Sequence, residues 1–415
     1  MKDCSAIILA GGKSSRMGQK KATLTLRGKT FLEIIIGKLR NIGITDIVLS
    51  GFEPSDPDVK YAKDIYQNKG PLAGVHAGLK TVQGDFALVL AEDAPLVPED
   101  FLKKLIESHM NGDKPVTVAV CGSRLQPLVA VYDCDLAGRC DELLQRVGGT
   151  LKDLIREAGC TKLAFEGEEM LIRGCNTQEE YEVVRKLANT ETVEFTRKNR
   201  DGSHEQSESC LLREFDLDIY VDGAFFSHVV CTDEYLKEMV YGRLCTEGII
   251  RAAADVRGFL MAEDGRRAEV SLCREKAAAF EKETARVPDF DRVFALADAF
   301  GEDDGLHKMT GAAHRCILSY RVQGGEEYFS CEDIGRFNAI DKAEGYALLN
   351  GIAPEDCMLF TSGRIFAETV KKAANAGIPV LVSKSVPTAD AVDAAKAAGI
   401  CLVGRAWKDS CEVYA

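Results

Sequence analysis

The sequence lacks the features of a membrane or secreted protein. Its 415 residues contain no run of about 18 apolar residues, so no membrane-spanning helix is predicted. The apolar stretch at residues 6–10 ends in glycines rather than at a signal-peptidase site, so we interpret it as a first strand. The fifteen cysteines are an odd number without a C-x-x-C pair or zinc-type spacing, which favours reduced thiols. We therefore expect a cytoplasmic protein.

The sequence has no excess of basic residues either. Its 65 acidic and 52 basic residues leave a net charge of −13, which argues against non-specific binding to nucleic acid. Hydrophobic residues make up 46% of the chain and charged residues 28%, as in folded globular proteins. Because 415 residues are too many for one ordinary core, we predict two domains. We expect no nucleic-acid partner and no membrane partner.

Strand-like and helix-like patterns alternate over residues 1–188. Four apolar runs have the character of buried parallel strands, namely AIILA, DIVLSG, FALVLA and VTVAV. Between them, three segments predict helices, namely TFLEIIIGKLRNIG, GPLAGVHAGLKTV and PEDFLKKLIESHM. This alternation predicts a Rossmann-like three-layer α/β domain, in which ligands bind beyond the carboxyl ends of the strands.

The composition changes at residues 189–209, NTETVEFTRKNRDGSHEQSES, which are polar and show almost no core-forming periodicity. We interpret this stretch as a flexible linker, whose ends would lie roughly 25 Å apart as a coil. Beyond it, residues 210–415 contain three hairpin signals, FDLDIYVDG, FLMAEDGRRAEVSL and ILSYRVQGGEEYFSC. The tail returns to a strand–helix–strand rhythm, so the second domain is predicted to be mixed α/β.

A glycine-rich, basic loop follows the first strand. Glycines let backbone N–H groups approach phosphate oxygens, while Arg16 and Lys21 supply charge that would stabilise a leaving pyrophosphate. A tight strand–helix turn would use the same glycines. Asp93 follows the strand FALVLA and is a candidate Mg²⁺ ligand, because Mg²⁺ prefers oxygen ligands and bridges phosphates. A turn residue beside a helix is the alternative for Asp93.

Residues 1–188 resemble the molybdenum cofactor guanylyltransferases, the MobA-type branch of the nucleotidyltransferases. The resemblance rests on LAGGKSSRMGQKKATL, GPLAG, EDAP, QPLVAVY and GCNTQEEY. It implies that Arg16 contacts the phosphates, that Asp93 holds Mg²⁺ and that Lys21 acts on the nucleotide. The resemblance assigns nucleotide or cofactor binding to Leu9, Ala10, Gly11, Gly12, Lys21, Asp64, Gly70, Pro71, Gly74, Asn176 and Thr177. The chain departs from the family at Glu92, where a cysteine is usual, and keeps the aspartate.

Several loops of the second domain are suited to an anionic ligand, because they follow apolar strands and open helices. These segments are TSGRIFAE and SKSVPTADA. Two further candidate segments are KMTGAAHRC and the charged run CEDIGRFNAIDK. The alternative for these segments is a structural role without a ligand. Ser362, Ser385 and Thr388 would be helix N-caps, and the charged run would be a satisfied surface network.

LCTEGII, TGAAH, EDIGRFNAIDK, TSGR and SVPTADAV occur in that order between residues 213 and 405. In this they resemble the FdhD family, the sulfur carriers and accessory proteins of formate dehydrogenase maturation. The family fold is similar to cytidine deaminase without its zinc chemistry. The resemblance assigns cofactor binding to His314, Arg336, Ser362, Arg364, Ser385 and Thr388.

The chain departs from the FdhD pattern at two places. Phe337 stands where the family commonly has histidine, and the family's Cys-x-x-Cys loop is replaced by an interval that contains only Cys273. Because Arg274 and Lys276 would favour its thiolate, Cys273 is the candidate persulfide carrier. An ordinary strand cysteine is the alternative. The competing thiols Cys316 and Cys331 adjoin strand-like runs, where we expect them to be buried and inert.

The two resemblances together imply a bifunctional enzyme of molybdenum cofactor maturation. The first domain would transfer GMP from GTP to molybdopterin with Mg²⁺. The second would bind the resulting molybdenum guanine dinucleotide for sulfuration or for delivery to formate dehydrogenase. The expected partners are the formate dehydrogenase apoprotein and, for a sulfur carrier, a cysteine desulfurase. A homodimer formed through the second domain is a further possibility. Two alternatives stand beside this: a second domain that is only a cofactor-binding chaperone, and a first domain that uses CTP or another acceptor.

Overall fold

A computed structural model of the chain describes residues 3–10, 24–66, 69–262, 264–273, 288–301, 305–323 and 325–415. It divides into two units, Met1–Ala188 and Asn189–Ala415. Among the described residues, no helix combines the length and the apolar character needed to cross a bilayer. Each unit is treated by itself below.

The first unit contains nine described strands and seven described α-helices. The strands are β1 (Cys4–Leu9), β2 (Thr25–Leu26), β3 (Lys29–Thr30), β4 (Ile47–Ser50), β5 (Lys60–Ala62), β6 (Phe86–Ala91), β7 (Val116–Cys121), β8 (Arg124–Asp133) and β9 (Thr161–Ala164). The helices are α1 (Phe31–Asn41), α2 (Pro71–Leu79), α3 (Glu99–Met110), α4 (Ala137–Gln145), α5 (Leu151–Ala158), α6 (Glu169–Ile172) and α7 (Gln178–Ala188). The four strands and three helices predicted from the sequence are confirmed.

Seven of these strands form one sheet in the order β5-β4-β1-β6-β8-β7-β9. β5, β4, β1 and β6 run parallel, and β8 is antiparallel to both of its neighbours. Ile7 packs with α2 and α4 on one face, while Ile8 packs with α1 and α3 on the other. Because both faces of β1 are covered, its residues read as a continuous apolar run. This is the three-layer arrangement that the alternating pattern predicted.

Helix α2 lies unusually close to the sheet. A Cβ atom added at Gly78 would lie within 3.0 Å of the Ile7 side chain, and one at Gly74 would lie 2.9 Å from Leu9 Cδ2. Gly70 precedes the helix with a φ of 72°, a left-handed value that favours glycine, and Pro71 occupies the first helical position. The glycines of this segment therefore serve helix–sheet packing and the entry into the helix.

The second unit contains twelve described strands and six described α-helices. The strands are β10 (Thr190–Lys198), β11 (His204–Leu212), β12 (Phe215–Val221), β13 (Ala224–Cys231), β14 (Val256–Met261), β15 (Arg267–Leu272), β16 (His314–Val322), β17 (Gly325–Asp333), β18 (Cys357–Thr361), β19 (Val380–Ser383), β20 (Cys401–Trp407) and β21 (Ser410–Val413). The helices are α8 (Leu236–Thr246), α9 (Phe290–Gly301), α10 (Leu306–Thr310), α11 (Arg336–Leu349), α12 (Ala367–Ala376) and α13 (Ala389–Ala398).

Two sheets organise this unit, in the orders β13-β12-β15-β14 and β17-β16-β18-β19-β20-β21. Apolar residues of both sheets share one core with α8, α11, α12 and α13. The opposite face of the six-stranded sheet is covered by α9, through Val293, Leu296 and Phe300. The three predicted hairpins are confirmed as β12–β13, β14–β15 and β16–β17.

The segment interpreted as a coil linker is instead mostly a β-hairpin. β10 and β11 pair antiparallel from Thr190 and Leu212 to Lys198 and His204. Both faces carry polar cross-strand pairs, such as Arg197 Nη1 to Glu205 Oε1 at 3.0 Å. Polar residues on both faces erase the apolar alternation by which a half-buried strand is recognised, so the coil prediction was wrong for these residues.

Candidate functional site

The carboxyl ends of β1, β4 and β6 are tied together at one edge of the first sheet. Ala10 N donates to Ser50 O at 2.8 Å, and Glu92 N donates to Leu9 O at 2.9 Å. This is the edge where ligands bind in parallel α/β sheets. The predicted phosphate loop leaves from this edge, and its residues Gly11, Gly12, Arg16 and Lys21 lie outside the described residues.

Predicted nucleotide-binding residues from three segments meet at this edge, around Ser50 at the end of β4. Ser50 Oγ donates to Asp64 Oδ1 at 2.9 Å, which holds the aspartate against the end of β4. A Cβ atom at Gly74 would lie 2.9 Å from Ser50 Oγ as well as from Leu9, so α2 closes on the same strand ends. Gly70, at the exposed start of α2, completes the group. Ser50 is a member of this site that the sequence analysis missed.

Asp93 stands two residues beyond β6 and is half-buried. A Cβ atom at Gly174 would lie 2.7 Å from Asp93 Cγ and 2.8 Å from Oδ2, distances that a real side chain does not reach. Cys175 N also donates to Asp93 O at 2.8 Å. The structure therefore places the GCNT segment directly against the candidate metal ligand, where a larger residue at position 174 would displace the Asp93 carboxyl group.

Asn176 and Thr177 sit in the turn that begins α7. Their backbone N–H groups donate to Glu180 Oε2 at 2.7 and 3.2 Å, and Glu180 N donates to Thr177 Oγ1 at 3.2 Å. This reciprocal arrangement is a capping box. Arg173 Nη2 donates to the other oxygen of Glu180 at 2.6 Å. Thr177 thus positions the turn beside Asp93, and the Thr-x-x-Glu spacing was readable in the sequence.

The donor set at this edge suits Mg²⁺ held mainly through substrate. Within the described ranges, no group of three or more His, Cys, Asp or Glu side chains is placed to hold a metal ion. Mg²⁺ commonly takes one or two carboxylates, several waters and substrate phosphates, so a single aspartate is sufficient. Gly174 leaves the Asp93 carboxyl group room that any side chain would fill. The residues present therefore fit the ion.

In the second unit, three predicted binding residues meet where β18 ends and β16 begins. His314 Nδ1 lies 3.3 Å from Ser362 Oγ, which also accepts a hydrogen bond from Arg315 N at 3.1 Å. A Cβ atom at Gly363 would lie 3.2 Å from Arg336 Cβ, so the first residue of α11 touches the same loop. Burial, together with the charge of Arg336, lowers the pKa of His314.

The loops after β18 and β19 are joined to each other. Ser383 Oγ donates to Gly363 O at 2.7 Å and accepts from Ser385 N at 2.9 Å. Thr388 caps α13, because its hydroxyl accepts from Ala391 N at 3.2 Å. Ser362 and Ser385 are not caps, since α12 and α13 begin after Phe366 and Thr388. Arg364 is exposed at the same edge.

The charged run that ends β17 and continues into α11 is a buried network rather than a surface one. Lys342 Nζ lies 2.6 Å from Asp333 Oδ2, and both side chains are fully buried. Burial opposes the charge of Lys342, yet the adjacent Asp333 outweighs it and raises the pKa of the lysine. Glu332 accepts from Leu306 N at 2.5 Å and caps α10. Within this run, Arg336 is the residue that reaches the loop edge.

Cys273 directly follows β15 and is half-buried. Its backbone N donates to Asp255 O at 2.8 Å, and its thiol lies 3.3 Å from Ala254 O. Arg274 and Lys276, the predicted activating neighbours, lie outside the described residues. Cys316 and Cys331 are buried, and burial raises the pKa of both thiols, as expected for inert cysteines.

Both halves of the chain match known protein families. The FdhD/NarQ family model matches residues 212–289 and 273–415, and the MobA-like NTP transferase domain model matches residues 6–162. A sulfur carrier protein FdhD from Geobacillus kaustophilus is 34% identical over 247 residues, which cover 52% of this chain and 92% of that protein. These matches fall on the two units separately.

Two solved structures are similar to one unit each. A structure assigned as a formate dehydrogenase accessory protein from Desulfotalea psychrophila has 23% identity and a TM-score of 0.47, covering 54% of this chain and 96% of that chain. Molybdopterin-guanine dinucleotide biosynthesis protein A from Archaeoglobus fulgidus has 18% identity and a TM-score of 0.39, covering 44% of this chain and 97% of that chain.

Proposed function

Because residues 212–415 make this chain a member of the FdhD/NarQ family and residues 6–162 form a MobA-like NTP transferase domain, we propose that it is a bifunctional protein of molybdenum cofactor maturation. The first unit transfers GMP from GTP to the terminal phosphate of molybdopterin. The second unit binds the dinucleotide product for sulfuration or delivery to a formate dehydrogenase. The observation that carries the proposal is the contact of Gly174 with Asp93 at the nucleotide edge.

In the proposed reaction, Asp93 would hold Mg²⁺, which supplies charge neutralisation at the triphosphate when bound. An oxygen of the acceptor phosphate attacks the α-phosphorus of GTP. The bond from that phosphorus to its bridging oxygen breaks, and pyrophosphate leaves with both electrons of that bond. Arg16 and Lys21 stabilise the negative charge on the departing group. Leu9, Ala10 and Gly70 form the backbone edge against which the nucleotide lies.

In the second unit, we assign dinucleotide binding to the loop edge formed by His314, Arg336 and Ser362. The His314 imidazole lies 3.3 Å from the Ser362 hydroxyl, the Arg336 side chain starts against the same loop at Gly363, and Arg364 adds exposed positive charge. These are groups that donate to phosphate oxygens. The diphosphate of the guanylylated cofactor is the ligand that this chemistry suits.

A single incubation tests the nucleotide assignment. The full chain is mixed with molybdopterin, Mg²⁺ and equal amounts of GTP and CTP, and the pterin product is analysed by mass spectrometry. We expect the GMP-linked product, because LAGGKSSRMG carries the double glycine typical of the guanylyl branch. A mainly CMP-linked product would make the first unit a cytidylyltransferase, and no nucleotide on the pterin would point to a different acceptor.

A cofactor-binding chaperone without sulfur chemistry is the second candidate for residues 212–415. The observation that favours it is the single cysteine, Cys273, in the interval where the family carries two. Such a chaperone would use the same loop edge to hold the dinucleotide and would receive no sulfur from a cysteine desulfurase. Loading with sulfur therefore separates the two candidates.

A further inference from the structure

The short segment that carries Asp64 is held at two points. Asp64 follows β5, and its Oδ1 accepts a hydrogen bond from Ser50 Oγ at 2.9 Å. Two residues later, the Tyr66 hydroxyl donates to Asp141 Oδ1 on α4 at 2.6 Å. Ile65, between the two, is 67% exposed. Because the segment is fixed on both sides of one exposed residue, the Asp141 contact limits where Asp64 can lie.

Asp141 is the acceptor on which this second anchor depends. Lys80 Nζ lies 3.5 Å from its Oδ2, and His76 Nε2 lies 3.4 Å from its Oδ1. The hydrogen bond from Tyr66 lowers the pKa of the Asp141 carboxyl group, and the charges of Lys80 and His76 act in the same direction. The carboxylate is therefore ionised at neutral pH, and its hydrogen bond to the Tyr66 hydroxyl is charge-assisted.

His76 is the buried member of this cluster. Its side chain is fully buried on α2, and its ring lies edge-on to Tyr66 with the centroids 5.6 Å apart. Within the described part of the chain, neither ring nitrogen makes a hydrogen bond, although Nε2 is close to Asp141. A buried polar group without a hydrogen bond costs stability. An apolar residue would fill this place at lower cost, so helix packing does not explain the histidine.

The charge of His76 decides how strongly it attracts Asp141. The groups that face the ring are Asp141 on α4, Asp64 and Tyr66 in the segment after β5, and Lys80 on α2 itself. Burial, aided by Lys80, lowers the pKa of His76, so the ring is neutral at pH 7.5. A protonated ring would donate to the carboxylate, and such bonds are about 2.7–2.9 Å long. Protonation would therefore draw the Asp141 carboxylate toward α2 by roughly half an ångström.

We propose that Tyr66 and Asp141 position Asp64 for the nucleotide and that His76 makes this positioning sensitive to pH. While His76 is neutral, Asp141 holds Tyr66, and Asp64 stays beside Ser50 at the nucleotide edge. When His76 gains a proton, the carboxylate is drawn to the ring and the segment is released, so GTP binds less tightly in acid. Tyr66, Asp141 and His76 are positioning residues that act through Asp64. This inference rests on the proposed function of the first unit.

The test measures binding of GTP with Mg²⁺ to the full chain by titration calorimetry at pH 7.5 and pH 5.5. Tyr66→Phe removes the hydroxyl that reaches Asp141, and Tyr61→Phe, at an exposed tyrosine on β5, is the matched control. At pH 7.5, Tyr66→Phe is expected to raise the Kd for GTP about fivefold, as for one lost hydrogen bond, and to leave kcat at saturating GTP as in the control.

The pH dependence supplies the second measurement. From pH 7.5 to 5.5 the Kd should rise about threefold more in the unsubstituted chain and in Tyr61→Phe than in His76→Gln, which has no imidazole to protonate. The comparison between variants removes any effect of pH on GTP itself, because that effect is common to all of them. A purely structural role of His76 would not produce this difference.

Equal Kd values for Tyr66→Phe and Tyr61→Phe at pH 7.5 would overturn the positioning through Asp141. The same pH dependence in His76→Gln as in the control would overturn the role of His76. If the unsubstituted chain binds GTP but transfers no GMP, the proposed function fails, and the Kd values still decide the positioning. If it binds no GTP, the inference and the proposed function both fail.

Discussion

Asp93 and Gly174 come from distant parts of the sequence and lie in contact in the fold. A Cβ atom at Gly174 would displace the Asp93 carboxyl group, and Cys175 N donates to the Asp93 carbonyl oxygen. The turn is then fixed by the capping box of Thr177 and Glu180. As the proposed metal ligand, an aspartate held in this way would need little reorganisation when the charged substrate arrives, which is how preorganised electrostatic groups contribute to rate.

Asp93→Ala and Lys21→Ala should each lower the rate of GMP transfer by about 10²–10³, equivalent to roughly 3–4 kcal/mol. The first change removes the Mg²⁺ anchor, and the second removes charge stabilisation of pyrophosphate. Circular dichroism melts should show little change for Asp93→Ala, because its side chain is half-buried at the strand edge. A variant that transfers GMP at the unsubstituted rate would show that its assigned role is wrong.

The proposed sulfur chemistry would depend on one thiol, Cys273. If the second unit carries a persulfide, sulfur loaded by a cysteine desulfurase should be lost in Cys273→Ala and retained in Cys316→Ala. Cys316 is the matched control because it is fully buried and its thiol pKa is raised by that burial. Intact-mass measurement after loading shows a gain of one sulfur atom. If the unsubstituted chain gains none, the outcome favours the chaperone.

At the scale of elements, the second unit is held together by the crossing of α8 and α11. A Cβ atom at Gly345 would lie 2.7 Å from Glu238 C, and one at Gly242 would lie 2.6 Å from Asp341 C. The two helix backbones are therefore in direct contact. A buried charge network flanks the crossing, with Arg243 Nε 2.7 Å and Lys372 Nζ 3.0 Å from the carboxylate of Asp341.

Gly345→Ala should destabilise the second unit by about 3 kcal/mol, at the upper end for overpacking, because the new methyl group meets backbone rather than a flexible side chain. For a unit of this size the Tm should fall by roughly 6–12 °C. Gly301→Ala, on α9 of the same unit, is the control, since a Cβ there meets nothing within 4 Å. Scanning calorimetry compares the two. Equal melting temperatures would contradict the backbone contact.

Helix α2 of the first unit carries a fully buried histidine. His76 lies 3.4 Å from Asp141 Oδ1 and packs edge-on against Tyr66, with Lys80 and Asp64 also facing it. Burial, aided by the charge of Lys80, lowers its pKa below the ordinary 6.5, and the attraction of Asp141 only partly compensates. The neutral ring is therefore the form that the folded unit accommodates.

This lowered pKa predicts how stability changes with pH. Below about pH 6.5 the unfolded chain binds a proton at His76 that the folded unit resists, so stability is lost as the pH falls below this value. In His76→Gln that loss should be smaller. The Tm of the unsubstituted chain and of the variant, measured from pH 7.5 to 5.5, should therefore converge toward acid. Parallel curves over that range would show that His76 does not control this dependence.

At the scale of the whole molecule, the proposed function gives two units on one chain successive steps on one labile cofactor. Joining two sites makes the second encounter intramolecular, with an effective concentration that reaches the millimolar range for short connections. The product of the first unit is then captured without equilibrating with bulk solution. The proposed advantage of the fusion is this capture, which requires no new chemistry in either unit.

Mixing two inactivated chains tests this advantage. Asp93→Ala blocks the proposed transfer and Arg336→Ala the proposed dinucleotide binding, so an equal mixture holds both functions on separate chains. At about 0.1 µM the mixture should activate formate dehydrogenase far less than the unsubstituted chain, because capture is no longer intramolecular. The gap should close as protein concentration rises. Equal activation at low concentration would remove the argument for tethering.

The sequence by itself determined most elements of both units. Apolar runs and helix caps are local signals, so β1, β6 and the capping box at Thr177 follow from neighbouring residues alone. Residue types at strand ends likewise indicated Asp93 and the loops near His314 as candidate sites. These features require no knowledge of which segments meet.

Only the tertiary structure decided the features that depend on distant partners. The β10–β11 hairpin is polar on both faces, so cross-strand pairing rather than an apolar pattern defines it. In the sequence, Lys342 has the character of a surface charge. In the structure it is fully buried, because its ion pair with Asp333 compensates the cost of desolvation. Gly345 is required by its contact with the backbone of Glu238, and Gly174 lies against the Asp93 carboxyl group. The space beside a residue is set by the fold, and local sequence carries no signal for it.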